Sequence, residues 1–138
     1  AVDVGAGQLH WNLRNDPRVT VLERINARYL EPDQFDPAPA CAVMDVSFIS
    51  LTKVLPAVTQ VLVPGAFLIT LIKPQFEAGP DQVGRGGVVR DPAVHEQVFV
   101  RVRAFGPGTI GLAWRGVCPS PIKGPAGNIE VLACWGMT

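Results

Sequence analysis

Apolar residues along the chain fall into short runs separated by proline and glycine, a pattern typical of an alternating α/β domain. The clearest run is Leu68 to Ile72, which is followed at once by Lys73 and Pro74. Because a continuous β-branched and leucine-rich run is typical of a strand buried on both faces, we predict a central strand over 66–73. Pro74 ends that strand, so Lys73 is expected at its carboxyl end.

Shorter apolar runs predict further strands around this one, and two longer segments have helical spacing. Ser50 and Asp91 are good N-cap residues, so helices are expected over 51–63 and 92–104, with a shorter helical segment over 8–13. The other predicted strands are the tail of a first strand at 1–3 and the segments 19–22, 40–45, 109–117 and 129–135.

The order of these elements indicates an α/β fold with a Rossmann-like, doubly wound sheet. We expect this sheet to be mostly parallel and to lack its first βα unit, because 1–3 resembles only the end of a strand. The last two strands have no helix between them, which predicts an antiparallel C-terminal hairpin. A chain of 138 residues is sufficient for one domain.

Composition narrows the function less than the strand pattern does. Lys+Arg and Asp+Glu both number 12, so net charge gives no reason to expect nucleic acid. Basic residues nevertheless outnumber acidic ones over 85–123, which indicates either a basic surface or scattered solvated arginines. The three cysteines have no partner at metal-ligand spacing, so we expect buried, reduced thiols, no metal site and a cytoplasmic protein. No apolar run reaches the ~18 residues of a membrane span.

Ionisable residues stand at three predicted strand ends. Asp45 follows one strand, Lys73 follows the next, and Glu130 enters the last. Parallel neighbours place Asp45 and Lys73 side by side, and an antiparallel last strand brings Glu130 to the same edge. A lysine held between two carboxylates can take or stabilise a proton on a substrate hydroxyl. The alternative is a structural ion pair that closes the sheet edge. Asp3, at an earlier strand end, can accept hydrogen bonds from the ribose of a nucleoside cofactor.

Six blocks of residues carry a family resemblance that spans essentially the whole chain. They are 2–9, 16–19, 44–51, 71–79, 86–91 and 127–130, of which Lys73-Pro74-Gln75-Phe76-Glu77 is the most specific. In these blocks the chain resembles the TlyA group, also labelled hemolysin A, of the FtsJ-like ribosomal RNA 2′-O-methyltransferases. The resemblance implies methylation of ribose 2′-hydroxyls with S-adenosylmethionine, by a Lys-Asp-Lys-Glu tetrad.

The resemblance assigns the catalytic residues one by one. Asp45, Lys73 and Glu130 resemble the last three members of the tetrad, with Lys73 nearest the target hydroxyl. The family's first lysine, its glycine-rich cofactor loop and its S4-like RNA-binding domain all precede the position of Asp3. None of them is present in residues 1–138. We therefore expect a partial methyltransferase domain that binds cofactor poorly and is inactive by itself.

The resemblance also implies a cofactor side and a set of partners. Asp3, Gly5, Asn26 and Asp45 are expected to bind S-adenosylmethionine, with Asp3 at its ribose and Asn26 near its adenine. We expect ribosomal RNA or a ribosomal subunit as the partner, and we expect no association with a membrane. Two other hypotheses compete with this one, namely a membrane-active hemolysin-type protein and a catalytically silent RNA-binding module.

Overall fold

The computed structural model describes residues 1–138, and its elements follow the predicted order. The six strands are β1 (Val2–Asp3), β2 (Leu22–Glu23), β3 (Cys41–Met44), β4 (Phe67–Ile72), β5 (Leu112–Pro119) and β6 (Val131–Met137). The four α-helices are α1 (Trp11–Arg14), α2 (Leu51–Gln60), α3 (Pro74–Glu77) and α4 (Pro92–Phe105).

The two long helices begin at the residues that the capping pattern predicts. Ser50 Oγ accepts a hydrogen bond from the Thr52 amide at 3.2 Å, and Asp91 Oδ1 accepts one from the Ala93 amide at 2.9 Å. Each bond satisfies an amide that has no partner inside its own helix. Helix α2 stops at Gln60, short of the predicted end at 63, because the chain turns there toward β4.

Two short elements depart from the prediction. A one-turn helix, α3, follows β4 directly, because Pro74 is compatible with the first helical position even though it ends the strand. A π-helical turn over Gly106–Ile110 extends α4, so β5 begins at Leu112 instead of 109. Both elements are too short to have an apolar period that the sequence would show.

The six strands form two separate sheets. Strands β1 and β2 pair in parallel, and the second sheet has the order β3-β4-β6-β5. Within it, β3 and β4 are parallel, whereas β6 is antiparallel to both β4 and β5. The predicted C-terminal hairpin is therefore confirmed, and the strand pairs as a whole are half parallel and half antiparallel.

Strand β4 is buried on one face only, so the prediction of burial on both faces is wrong. Leu68, Thr70 and Ile72 are buried beneath the helices. On the opposite face Phe67 is 51% exposed, and Val43 of the neighbouring β3 is 78% exposed. The apolar run is continuous, but the helices α2 and α4 cover only the face that carries Leu68.

The prediction of buried cysteines is wrong for the same reason. Cys41 and Cys118 are exposed, and Cys134 is half-buried. The strand register places all three on the open face, with Cys41 opposite Phe67 and Cys134 opposite Ile69.

A tight contact between the π-helical turn and Trp135 gives the fold its first testable prediction. Trp135 is fully buried, and a Cβ on Gly106 would lie 2.4 Å from its ring. We expect Gly106→Ala to lower the free energy of unfolding by about 1–3 kcal/mol, because the rigid ring cannot retreat. Gly108→Ala is the control, since a Cβ there meets nothing within 4 Å. Equal urea-denaturation curves for the two variants would contradict this account.

Strands β1 and β3 face each other across an apolar slot of about 400 Å³. Ala1 and Val2 lie on one side, and Ala42 and Met44 lie on the other. No strand pairing joins the two sheets across this slot. The facing edges therefore leave backbone hydrogen-bonding groups that a further strand can satisfy.

Candidate active site

A buried lysine and a carboxylate meet at the carboxyl ends of β3 and β4. The two strands are parallel and in register, with Met44 opposite Thr70, so the residues that follow them emerge side by side. Lys73 Nζ lies 2.6 Å from Asp45 Oδ1 and donates a hydrogen bond to Ser47 Oγ at 3.1 Å. The expected contact between Asp45 and Lys73 is thus present.

The two partners of this ion pair differ in their environment. The Lys73 side chain is only 10% exposed, whereas that of Asp45 is 70% exposed. A buried ammonium is costly unless a carboxylate and hydrogen-bond acceptors compensate it, and Asp45 and Ser47 supply both. The pair therefore holds a positive charge at a fixed position beneath the surface.

Glu130 lies in the same region but makes no ion pair with Lys73. It directly precedes β6 and is 4% exposed. Its Oε1 instead accepts a hydrogen bond from Gln75 Nε2 at 2.9 Å. The lysine thus has one carboxylate in contact instead of the two that were expected, because Gln75 engages Glu130 while Asp45 and Ser47 engage Lys73.

Lys73, Gln75 and Glu130 line a common cavity of about 400 Å³, which we call the lysine cavity. Two aromatic rings form an apolar wall, since the ring centroids of Phe48 and Phe76 are 4.9 Å apart. Phe48 is 90% exposed and has a φ of 62°, a conformation that is strained for a bulky residue.

A second cavity, of about 500 Å³, contains all four residues predicted to bind cofactor. Asp3, Gly5, Asn26 and Asp45 line it, and we call it the β1 cavity. Asp3 Oδ1 accepts a hydrogen bond from the Gly5 amide at 2.6 Å. A Cβ on Gly5 would lie 3.2 Å from Asp3 Oδ1, so glycine lets the turn close around this carboxylate. Asn26 caps the following 3₁₀ turn by accepting a hydrogen bond from the Arg28 amide at 3.1 Å.

The segment from Asp45 to Phe48 separates the two cavities. Ser47 and Phe48 line both of them, while Asp45 lines the β1 cavity and contacts the lysine of the other. The two cavities therefore border each other at Ser47 and Phe48.

Glu77 ties the start of α2 to α3, the helical turn that follows Lys73. Its carboxylate accepts hydrogen bonds from Ser50 Oγ at 2.6 Å and from the Leu51 amide at 2.7 Å. Burial raises the pKa of Glu77, and these two hydrogen bonds and the charge of Arg101 oppose that rise in part. Arg101 also donates a hydrogen bond to the Glu77 carbonyl.

Asn128 fixes the opposite rim of the lysine cavity. Its side chain is buried, accepts a hydrogen bond from the Val89 amide at 3.0 Å, and donates one to the Gly87 carbonyl at 2.8 Å. These bonds tie the glycine-rich loop before α4 to the loop before β6.

Several residues of the site carry no signal in the strand and helix pattern. They are Ser47, Phe48, Gln75, Glu77 and Asn128, and all but Asn128 follow Asp45 or Lys73 within about one helical turn of chain. The one available signal was their membership of the blocks that carry the family resemblance. Their contacts join segments far apart in sequence, which periodicity does not register.

An acidic residue beyond the carboxyl end of a parallel strand is typical of nucleotide-binding domains with a Rossmann-like fold. Residues 1–137 match the family model described as FtsJ-like methyltransferase. The chain therefore belongs to the FtsJ-like methyltransferase family.

Individual relatives agree with this assignment. YqxC of Bacillus subtilis (strain 168) is 50% identical over 133 residues, which are 96% of this chain and 47% of that protein. The 16S/23S rRNA (cytidine-2'-O)-methyltransferase TlyA of Mycobacterium tuberculosis (strain ATCC 25618 / H37Rv) is 49% identical over 132 residues, 94% of this chain and 48% of that protein. A solved structure described as a hemolysin from Streptococcus thermophilus superposes with a TM-score of 0.92 at 46% identity, covering 100% of this chain and 50% of that one. The chain thus spans about half the length of the curated relatives it matches.

None of the helices combines the length and the hydropathy that crossing a membrane requires.

Proposed function

We propose that this chain carries the catalytic lysine of an enzyme that methylates ribose 2′-hydroxyls in ribosomal RNA with S-adenosylmethionine. The observation that carries the proposal is the ion pair between Asp45, which lines the β1 cavity, and Lys73, which lines the lysine cavity. Lys73 Nζ lies 2.6 Å from Asp45 Oδ1. A cofactor in the first cavity and a nucleotide in the second would be neighbours along the border that the two cavities share at Ser47 and Phe48.

The residues of the β1 cavity suit a nucleoside cofactor. Asp3 presents a carboxylate at the end of a parallel strand, where ribose hydroxyls are commonly bound. Gly5 has no side chain that would fill the space beside it. When bound, S-adenosylmethionine supplies an activated methyl group, and this chain would hold its ribose through Asp3 and lie near its adenine through Asn26.

The residues of the lysine cavity suit a ribose hydroxyl. The Lys73 ammonium stabilises negative charge that develops on a 2′-oxygen as it loses its proton. Asp45 and Ser47 keep Nζ in place, and the wall formed by Phe48 and Phe76 offers an aromatic face against which a base can stack.

We further propose that residues 1–138 are a partial methyltransferase domain whose slot between β1 and β3 accepts a further parallel strand. The unpaired facing edges and the apolar lining support this arrangement. The relatives are about twice as long as this chain, so the occupant we favour is another segment of the same polypeptide. Such a strand would also bring a loop to the β1 cavity.

A binding prediction follows from this proposal. We expect the 138-residue chain to bind S-adenosylmethionine at least about tenfold more weakly than a longer polypeptide that fills the slot. Asp3→Asn should weaken binding by the longer polypeptide, whereas Asp33→Asn, an exposed residue outside both cavities, should not. Isothermal titration calorimetry gives the four affinities. Equal affinities for the short and long polypeptides would refute the role of the slot.

The proposed function is tested on a longer polypeptide that contains residues 1–138 and fills the slot between β1 and β3, which we call the active polypeptide. We expect it to transfer labelled methyl groups from S-adenosylmethionine to ribose 2′-oxygens of ribosomal RNA. We also expect the protein to be found in the cytoplasm. Leakage of liposomes without methyl transfer would favour the membrane-active alternative. Binding of RNA without methyl transfer would favour the silent RNA-binding module.

A further inference from the structure

Gln75 makes an asymmetric set of contacts beside Glu130. Its Nε2 donates a hydrogen bond to Glu130 Oε1 at 2.9 Å. Its own Oε1 is buried and has no hydrogen-bond partner, and it is the one buried side-chain atom in the protein with this property. Because a buried carbonyl without a donor is destabilising, a different gain must hold the amide in this orientation.

The carboxylate of Glu130 explains the orientation. Turning the amide over would aim Gln75 Oε1 at Glu130 Oε1, so that two acceptors would face each other. A buried carboxylate must be hydrogen-bonded, and Gln75 is the side-chain donor that Glu130 has. The Gln75 amide therefore donates to the Glu130 carboxylate, and Gln75 Oε1 is left without a hydrogen-bond partner.

The loop before β6 closes on the same pair. A Cβ on Gly124 would lie 2.5 Å from Glu130 Oε1 and 3.6 Å from Gln75 Nε2. Glu130 Oε1 is thus clamped between an amide and a backbone that leaves room for no side chain. Glu130 Oε2 makes no side-chain hydrogen bond and is not sealed inside the protein, so it is the oxygen available to the lysine cavity.

We propose that Gln75 is a positioning residue for methyl transfer and that it acts through Glu130. By holding Oε1 it directs Glu130 Oε2 toward the cavity in which Lys73 and the target ribose meet. This proposal rests on the proposed function, because it assigns Gln75 to the same reaction.

The kinetic test uses Gln75→Met in the active polypeptide. This change keeps the length of the side chain and removes the donor, so kcat should fall about tenfold while KM for RNA stays within about twofold. In a Glu130→Ala background the same change should have almost no further effect, because its target is gone. The control is Gln97→Met, an exposed glutamine of α4, which should leave kcat unchanged.

A second variant covers the case in which Gln75→Met does not fold. Gln75→Glu keeps the shape but replaces the donor with a second carboxylate beside Glu130, so kcat should fall at least as far as expected for Gln75→Met, again with KM for RNA within about twofold. A change in KM alone, or losses that multiply in the Gln75→Met/Glu130→Ala double variant, would overturn the proposal. Either result would mean that Gln75 does not act through Glu130.

The contact is also tested without any reaction. In the 138-residue chain the side-chain amide protons of Gln75 should exchange with solvent more slowly than in its Glu130→Ala variant, as measured by ¹⁵N nuclear magnetic resonance. Equal exchange rates would overturn the positioning role. Slow exchange together with no methyl transfer by any polypeptide containing the chain would refute the proposed function but leave the contact established.

Discussion

Replacing Lys73 with alanine is expected to lower the rate of methyl transfer by the active polypeptide about 10²–10⁴-fold, the range typical of a lost proton-transfer or charge-stabilising group. The Nζ atom is the one cation that the structure places at the junction of the two cavities. The affinity of the Lys73→Ala polypeptide for RNA should differ from the wild type by less than about twofold, because a side chain that is 10% exposed contributes little to contacts with a phosphate backbone.

The matched control is Lys53→Ala. Lys53 is exposed on α2 and lines neither cavity, so its replacement removes the same charge from the protein at a distant position. Single-turnover methylation measures the rate, and fluorescence anisotropy with a labelled ribosomal RNA fragment measures affinity. Full activity in Lys73→Ala would exclude the lysine from the chemistry. Equal losses of affinity in both lysine variants would indicate a role in electrostatic attraction of RNA.

The position of Lys73 could be predicted because it depends on backbone rules. An apolar run of strand length ends at Lys73, another ends at Asp45, and parallel neighbours emerge at one edge of a sheet. The contact between their side chains follows from register alone. The antiparallel last strand was correctly expected to bring Glu130 to this edge, but Glu130 contacts Gln75 instead of Lys73. The choice between these two neighbours depends on side-chain rotamers, which the strand pattern does not show.

The burial of the strand faces was the part of the fold that the pattern of apolar residues did not predict. The run in β4 is equally apolar on both faces, and a run of this kind is typical of a strand covered on both sides. Whether Phe67 and Cys41 are covered depends on which other elements pack against them, and the helices of this chain pack on one face only. The helical turn α3 was absent from the prediction because four residues do not establish a period. The hydrogen bonds of Glu77 were absent because they join segments far apart in sequence.

Glu77 should control stability more strongly than any other polar residue near the site. Its carboxylate accepts hydrogen bonds from Ser50 Oγ and from the Leu51 amide at the start of α2. Glu77→Ala leaves the buried Leu51 amide without an acceptor and removes the charged acceptor of Ser50 Oγ, so we expect it to lower the free energy of unfolding by about 2–4 kcal/mol. The start of α2 should then lose its hydrogen bonds to α3.

Glu77→Gln separates the hydrogen bonds from the charge. The amide oxygen can still accept from the Leu51 amide, and the side chain resembles a protonated glutamate, so the loss of stability should be much smaller than for Glu77→Ala. Glu31→Gln is the matched control, because Glu31 is exposed and stands apart from both cavities.

The pH dependence of stability gives this account its sharpest test. Burial raises the pKa of Glu77 above its ordinary value of 4.5, so between these two values the native state binds a proton that the unfolded state has released. The contribution of Glu77 to the free energy of unfolding therefore falls as the pH rises through this window. Glu77→Gln has no proton to lose at this position, so the advantage of the wild type over the variant should shrink as the pH increases from about 4.5 toward neutrality. Urea denaturation of both proteins at a series of pH values measures this difference, and a difference that stays constant or grows with pH would show that desolvation does not dominate at Glu77.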